Sequence, residues 1–163
     1  MYTVAILTIS DKGYAGQRED ASGAEIETQA LKRGYSVVRR AVIPDEKSMI
    51  SEALVRLSDN DAVSLILTTG GTGFSVRDVT PEATLAVVDR LCPGIPEAMR
   101  AYSLAFTKRA MLSRGVAGMR GKSLIVNLPG SPKAVRECLE YVLDELAHGL
   151  DILTGRNGEC ARS

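Results

Sequence analysis

The run Thr68-Thr69-Gly70-Gly71-Thr72-Gly73 carries the densest chemical signal in the chain. Glycines placed this closely let a backbone turn through dihedrals closed to other residues and come near a ligand. Successive amides in such a turn form a nest for an anion. Thr69 and Thr72 add hydroxyl donors. Shortly beyond the loop stands Asp78, preceded by Arg77. A carboxylate close to bound phosphate is repelled by it unless a cation lies between them. Mg2+, a hard ion that takes carboxylate and phosphate oxygens, is the natural candidate. The same residues also read as a tight turn, with Asp78 a cap or turn carboxylate before Thr80-Pro81, and with Arg77 either paired to Asp78 or facing water.

Other polar residues are more ambiguous. Asp45 follows Pro44 and reads fully as a helix cap; Asp11 and Asp20 are loop acids, and Lys12 and Arg18 are loop bases that could hold phosphate or face water. Ser131 sits at a helix start, where amides and the helix dipole favour an anion, and it can cap that helix at the same time. Gly121-Lys122-Ser123 imitates the end of a Walker A loop, but position 116 is Val and a strand follows where a helix is needed. No G-x-G-x-x-G fingerprint follows the first strand. His148, the only histidine, lies beside the apolar stripe of the last helix and reads as structural. Without a histidine-based triad or a histidine-rich metal site, an enzyme built on this chain must take its nucleophile from the substrate.

The elements that position these residues follow from hydropathy. Nearly unbroken apolar runs predict interior strands over residues 4–9, 63–67 and 123–128, and a further strand is read over 37–43. Ser22-Gly23-Ala24-Glu25 has a capping-box pattern and predicts a helix ending near Gly34. Met49, Ile50, Ala53, Leu54 and Leu57 form one apolar stripe of a second helix. Thr80-Pro81-Glu82 and Pro96-Glu97 mark two further helix starts. Residues 109–122 are basic, glycine-bearing and without a period, and read as an excursion from the sheet. Ser131-Pro132 opens a last helix whose buried face is Val135, Cys138, Leu139, Val142, Leu143, Leu146, Leu150 and Leu153. Alternating strands and helices predict an α/β fold with three layers, a mainly parallel sheet covered by helices on both faces. Ligands of such sheets sit beyond the strand C-termini. There Ser10-Asp11, Pro44-Asp45, Gly70-Gly71-Thr72-Gly73 and Pro129-Gly130-Ser131 all fall, and they are expected to meet. One domain is expected over residues 1–155, followed by a polar, frayed tail over 156–163.

Composition bounds the function. The chain has 20 Lys plus Arg against 20 Asp plus Glu. A zero formal charge argues against a general nucleic-acid binder, which carries a basic bias. Trp is absent, which disfavours an aromatic stacking platform. Cys92, Cys138 and Cys160 lack the close spacing of a thiolate metal site and read as reduced thiols of a cytoplasmic protein. No apolar run approaches a membrane span, and the start reads as a core strand rather than a signal peptide.

Taken together with Arg77-Asp78-Val79-Thr80-Pro81-Glu82-Ala83-Thr84, the glycine loop resembles the MogA/MoaB-type molybdopterin adenylyltransferase family, whose relatives include the G domains of gephyrin and the plant Cnx proteins. Ile6-Leu7-Thr8-Ile9-Ser10-Asp11, Ile43-Pro44-Asp45, Pro93-Gly94-Ile95-Pro96-Glu97-Ala98-Met99-Arg100, Met111-Leu112-Ser113-Arg114 and Asn127-Leu128-Pro129-Gly130-Ser131-Pro132-Lys133 extend the match in order. The resemblance implies a molybdopterin-binding fold, assembled as a homotrimer, that joins ATP to molybdopterin, releases pyrophosphate and hands its product to a molybdenum insertase. It places the family's two key aspartates on Asp45 and Asp78 as catalytic residues, and the conflict between carboxylates and bound phosphate makes the same pair the expected ligands of Mg2+. It places a substrate-binding serine on Ser103 and the rest of the substrate contacts on Ser10, Asp11, Gly70, Gly71, Thr72, Gly73, Pro129, Gly130 and Ser131. A non-catalytic pterin-binding scaffold of the same fold is the alternative, and an enzyme acting on another phosphorylated substrate is a third.

Overall fold

The computed structural model describes residues 1–156; the tail beyond Arg156, with Cys160, lies outside the described residues. The first half of the chain forms β1 (Thr3–Ile9), a one-turn helix α1 (Asp11–Tyr14), α2 (Ala21–Lys32), β2 (Ser36–Ile43), α3 (Lys47–Val55) and β3 (Leu65–Thr69). The second half adds α4 (Thr80–Leu85), β4 (Arg90–Leu91), α5 (Gly94–Ser103), β5 (Ala117–Arg120), β6 (Ser123–Leu128) and α6 (Pro132–Thr154). One six-stranded sheet has the order β2-β1-β3-β6-β5-β4. The first four of these strands run parallel, and β5 and β4 extend the sheet by antiparallel pairing.

The unbroken apolar strands are explained by two cores. Successive side chains of a strand point to opposite faces. Val4 and Ile6 enter one cluster with Ile26 of α2, Met99 of α5 and Leu139 and Leu143 of α6. Ala5, Leu7 and Ile9 enter the other with Ile50 and Leu54 of α3 and Ala83 of α4. Helices therefore cover both faces, and the three-layer, mainly parallel architecture is the one expected.

Several local expectations are corrected. Asp20, not Ser22, caps α2, its carboxylate accepting from the Gly23 amide at 2.9 Å. The capping box does not form because Ser22 donates instead to the Gly130 carbonyl at 2.6 Å, and Glu25 is drawn to Arg136. Asp45 caps no helix: the residue before α3 is Glu46, which makes no side-chain cap bond. Thr80 is likewise the first residue of α4 rather than its cap. Strand β3 starts two residues later than predicted, because Ala62 adopts a left-handed conformation and the Val63 amide is still committed to the Leu57 carbonyl. Met49 is exposed, whereas Ile50, Leu54 and Leu57 are buried, with Leu57 carried on a π-helical turn over Arg56–Asn60. The basic excursion holds a 3-10 turn, Lys108–Leu112, and then rejoins the sheet as β5. Ser131 and Pro132 open α6 as expected.

Candidate functional site at the C-terminal edge of the sheet

The loops after β1, β2, β3 and β6 meet at one edge of the sheet. The Ser10 amide donates to the Ile43 carbonyl at 2.9 Å, and the Thr69 hydroxyl to the Pro129 carbonyl at 2.6 Å. Ser22 holds Gly130 from α2.

Within the glycine loop the carbonyls are taken and the amides are left. The Thr80 hydroxyl donates to the Gly70 carbonyl at 3.0 Å, and the Thr80 amide to that of Gly71 at 3.1 Å. Arg114 takes the next two, its amide donating to the Thr72 carbonyl and its Nε to that of Gly73. No hydrogen bond among the described residues uses the amides of Gly71, Thr72 or Gly73. Loop amides without internal partners are the donors an anion nest requires. Glycine is needed at two of these positions. Gly70 and Gly71 have φ of 93° and 66°, and a Cβ there would lie 2.4 Å from the Ile9 carbonyl oxygen and 2.2 Å from Thr80 Oγ1.

Two cavities open on either side of this loop and share Gly70, Gly71, Asp78, Gly130 and Ser131. One, of about 620 Å3, runs beneath α5 and the 3-10 turn and reaches Thr72, Gly73, Arg100, Ser103, Asn127 and Cys138. The other, of about 610 Å3, runs toward α2 and is lined by Ser10, Arg18, Asp20 and Asp45. Asp45 and Asp78 thus face one cavity. Ser103 sits 3.7 Å from the Cys138 sulfur, and the Ser10 hydroxyl caps α1.

The acids at this edge outnumber the bases. Asp11 and Asp45 exchange hydrogen bonds: the Asp11 amide donates to Asp45 Oδ2 at 2.8 Å, and the Asp45 amide to Asp11 Oδ1 at 3.0 Å. Arg77 donates from Nε to Asp11 Oδ2 at 3.0 Å and from Nη2 to Glu46 at 2.8 Å. It pairs with neither Asp78 nor bulk water alone, contrary to both expectations. The Arg77 guanidinium, followed by the Asp45 amide, holds the Asp11 carboxyl below the usual carboxylate range. Burial pushes Asp45 up, and the charges of Asp11 and Asp78 push it the same way. Asp78 accepts from the Ser75 amide at 2.9 Å. Asp11 is absent from the cavity walls; its carboxylate is spent on Arg77 and on the Asp45 amide.

Among the described residues, no group of three or more His, Cys, Asp and Glu side chains is placed to cage a metal. Asp45 and Asp78, on the wall of one cavity with Gly70 and Gly71, have the chemistry of a different pattern, in which Mg2+ is held by one or two carboxylates with the remaining positions left to water and substrate phosphate.

The family model described as "Probable molybdopterin binding domain" matches residues 5–148. The chain belongs to the molybdopterin-binding domain family. Molybdopterin adenylyltransferase of Escherichia coli K12 is 44% identical over 154 residues, 90% of this chain and 78% of that protein. The one from Helicobacter pylori J99 is 40% identical, covering 93% and 88%. The crystal structure of the molybdopterin biosynthesis enzyme MoaB from Thermus thermophilus superposes with a TM-score of 0.90 at 48% identity, covering 95% of this chain and 98% of that one. The Mog protein of Mycobacterium ulcerans gives a TM-score of 0.88 at 38% identity, covering 94% and 99%.

Two residues of this molybdopterin-binding domain escaped the sequence reading. Arg114 bonds the carbonyls of Gly73 and Asp78 and pairs with Glu82, so one side chain braces both ends of the loop. Its place in the Met111-Leu112-Ser113-Arg114 segment was the available signal. Asn127 donates to the hydroxyls of Thr68 and Thr84, each at 3.0 Å, and accepts from the Val116 amide. It fastens the end of β6 to β3 and α4 beneath the first cavity.

Proposed function

We propose that the chain is a molybdopterin adenylyltransferase, joining AMP from ATP to the terminal phosphate of molybdopterin with release of pyrophosphate. The observation that carries this reading is the pair of cavities sharing one glycine loop with free amides, with Asp78 at their junction and Asp45 on the wall of one. Two phosphorylated substrates need two spaces and one shared anion site.

The chemistry needs no protein nucleophile. An oxygen of the molybdopterin phosphate attacks the α-phosphorus of ATP. The new P–O bond forms as the bond to the α,β-bridging oxygen breaks, and that electron pair leaves with pyrophosphate. The protein contributes positioning and charge stabilisation. The amides of Gly71, Thr72 and Gly73 hold phosphate oxygens at the junction. Arg18, on the wall of the second cavity, supplies a cation toward the leaving group. Ser103 and Ser131 orient the substrate in the first cavity. Asp45 and Asp78 would hold Mg2+, which when bound would supply the charge neutralisation that lets carboxylates and polyphosphate share this edge.

The decisive assay is ATP- and Mg2+-dependent formation of adenylylated molybdopterin. Product formation supports the enzyme; molybdopterin binding without product selects a scaffold of the same fold. Asp78→Asn is expected to lower kcat by on the order of 10²-fold while changing molybdopterin affinity little. Equal loss of both, with unchanged Mg2+ dependence, overturns the metal role.

The assembly belongs to the same proposal. A groove of about 530 Å3 between α5 and α6, lined by Ile95, Ala98, Tyr141, Val142 and Leu146, supports a homotrimer. Hand-off of the product to a molybdenum insertase and a cytoplasmic setting complete the reading. Among the described residues no helix is long and apolar enough to cross a membrane.

A further inference from the structure

We infer that Arg77 is a positioning residue for the transfer reaction, fixing the Asp45 carboxylate against the glycine loop through Asp11. The inference rests on the activity proposed above. Arg77 has no place on the wall of either cavity at the glycine loop. Its guanidinium instead fastens two other loops. Nε and Nη2 engage both carboxylate oxygens of Asp11, at 3.0 and 3.1 Å, and Nη2 also reaches Glu46 at 2.8 Å. Arg77 itself belongs to the segment that carries Asp78, so one planar fork ties the loops after β1, β2 and β3 together. A bidentate fork fixes direction as well as distance, which a single ammonium does not.

The grip reaches Asp45 through the backbone. The Asp11 amide holds Asp45 Oδ2, and Asp11 Oδ1 holds the Asp45 amide. Asp45 Oδ1 is then turned toward the loop, 3.2 Å from where a Cβ on Gly71 would stand. Asp11 and Glu46 grip one guanidinium, and its charge also reaches Asp45. Without it, Asp11 and Glu46 repel each other, and the Asp11 carboxylate that closes the exchange with Asp45 loses its anchor. The cost falls on the geometry of the reacting groups, where a misplacement of about 1 Å is worth on the order of 10²-fold in rate.

Arg77→Gln, Arg77→Lys, Asp11→Asn and the double variant Asp11→Asn/Arg77→Gln test the inference. Adenylyl transfer and amide hydrogen exchange are read on each, with circular dichroism confirming the fold. Arg77→Gln is expected to lower kcat by about 30-fold or more with KM for both substrates within about threefold. Arg77→Lys restores part of the rate, and the double variant is no slower than the worse single variant, because both remove one link. The Asp11 and Asp45 amides exchange at least about tenfold faster in Arg77→Gln than in the parent chain. Parent-like kcat, a rise in KM that accounts for the whole loss, or multiplicative single variants overturn the inference while leaving the activity intact. If the parent chain makes no product, the activity reading fails, and the exchange rates alone decide the link: unchanged Asp11 and Asp45 amides sink it. If Arg77→Gln does not fold, Asp11→Asn carries the same kinetic and exchange criteria.

Discussion

At the scale of single residues, what matters is which polar groups are already committed. The carbonyls of the glycine loop are tied by Thr80 and Arg114, while the amides of Gly71, Thr72 and Gly73 have no hydrogen-bond partner among the described residues. Gly71 is the most constrained point. Gly71→Ala combines a positive φ with a Cβ 2.2 Å from Thr80 Oγ1 and is expected to cost about 1–3 kcal/mol, seen as a lower urea midpoint together with lost substrate binding. If the variant keeps both, the loop is more plastic than its hydrogen bonds indicate. That the glycine loop and Asp78 share one cavity edge was legible in the sequence, because their signal is local spacing. Of the two readings of Asp45, the cap fails, because Glu46 and not Asp45 precedes α3. The partner of Asp45 is Asp11, and that contact exists only once β1 and β2 lie side by side. Arg77 was misread for the same reason, since its partners Asp11 and Glu46 lie on other loops. A tertiary ion pair leaves no periodic trace.

At the scale of elements, hydropathy was a sound guide to strands that are buried on both faces and a poor guide to where they begin. β6 was read with its observed limits, whereas β3 was placed two residues early because Val63 is apolar but serves the turn. The short β5 was missed: Ala117–Arg120 has no apolar alternation, and only its pairing with β6 makes it a strand. Helix α2 is fastened to α6 by Glu25, which accepts from Arg136 at two oxygens. Arg136, then Gln29, hold the Glu25 carboxyl down to about 2 from an ordinary value of 4.5. A carboxyl lowered in the folded state stabilises it above its unfolded pKa, and that contribution fades as pH falls toward the folded value. Thermal melts of the parent chain should therefore lose stability between pH 4.5 and about 2 more steeply than those of Glu25→Gln. Parallel curves across that window would show that the pair adds nothing to folding. Because Arg136 is more than half exposed, solvent screening keeps the effect modest.

At the scale of the whole molecule, two apolar layers on one sheet leave a polar edge where four loops converge, as the α/β pattern predicts. The homotrimer proposed above belongs to this scale. It predicts a solution mass three times the 17.4 kDa of the chain, measured by sedimentation equilibrium, and a shift toward the single-chain mass in Tyr141→Glu, which puts a charge into the groove between α5 and α6. A chain that sediments alone at micromolar concentration rules the trimer out. The exchange between Asp11 and Asp45 has a consequence of its own. It sits just past the last backbone rung joining β1 to β2, at Ser10 and Ile43, and repeats that rung with side chains. Sheet-like registry is thereby prolonged into two segments that look like ordinary connections, and their lengths are as fixed as those of the strands they follow. Inserting one residue between Ile43 and Asp45, or between Ile9 and Asp11, would slip this borrowed rung, whereas an insertion near Gly16, on the far side of α1, would leave it in register.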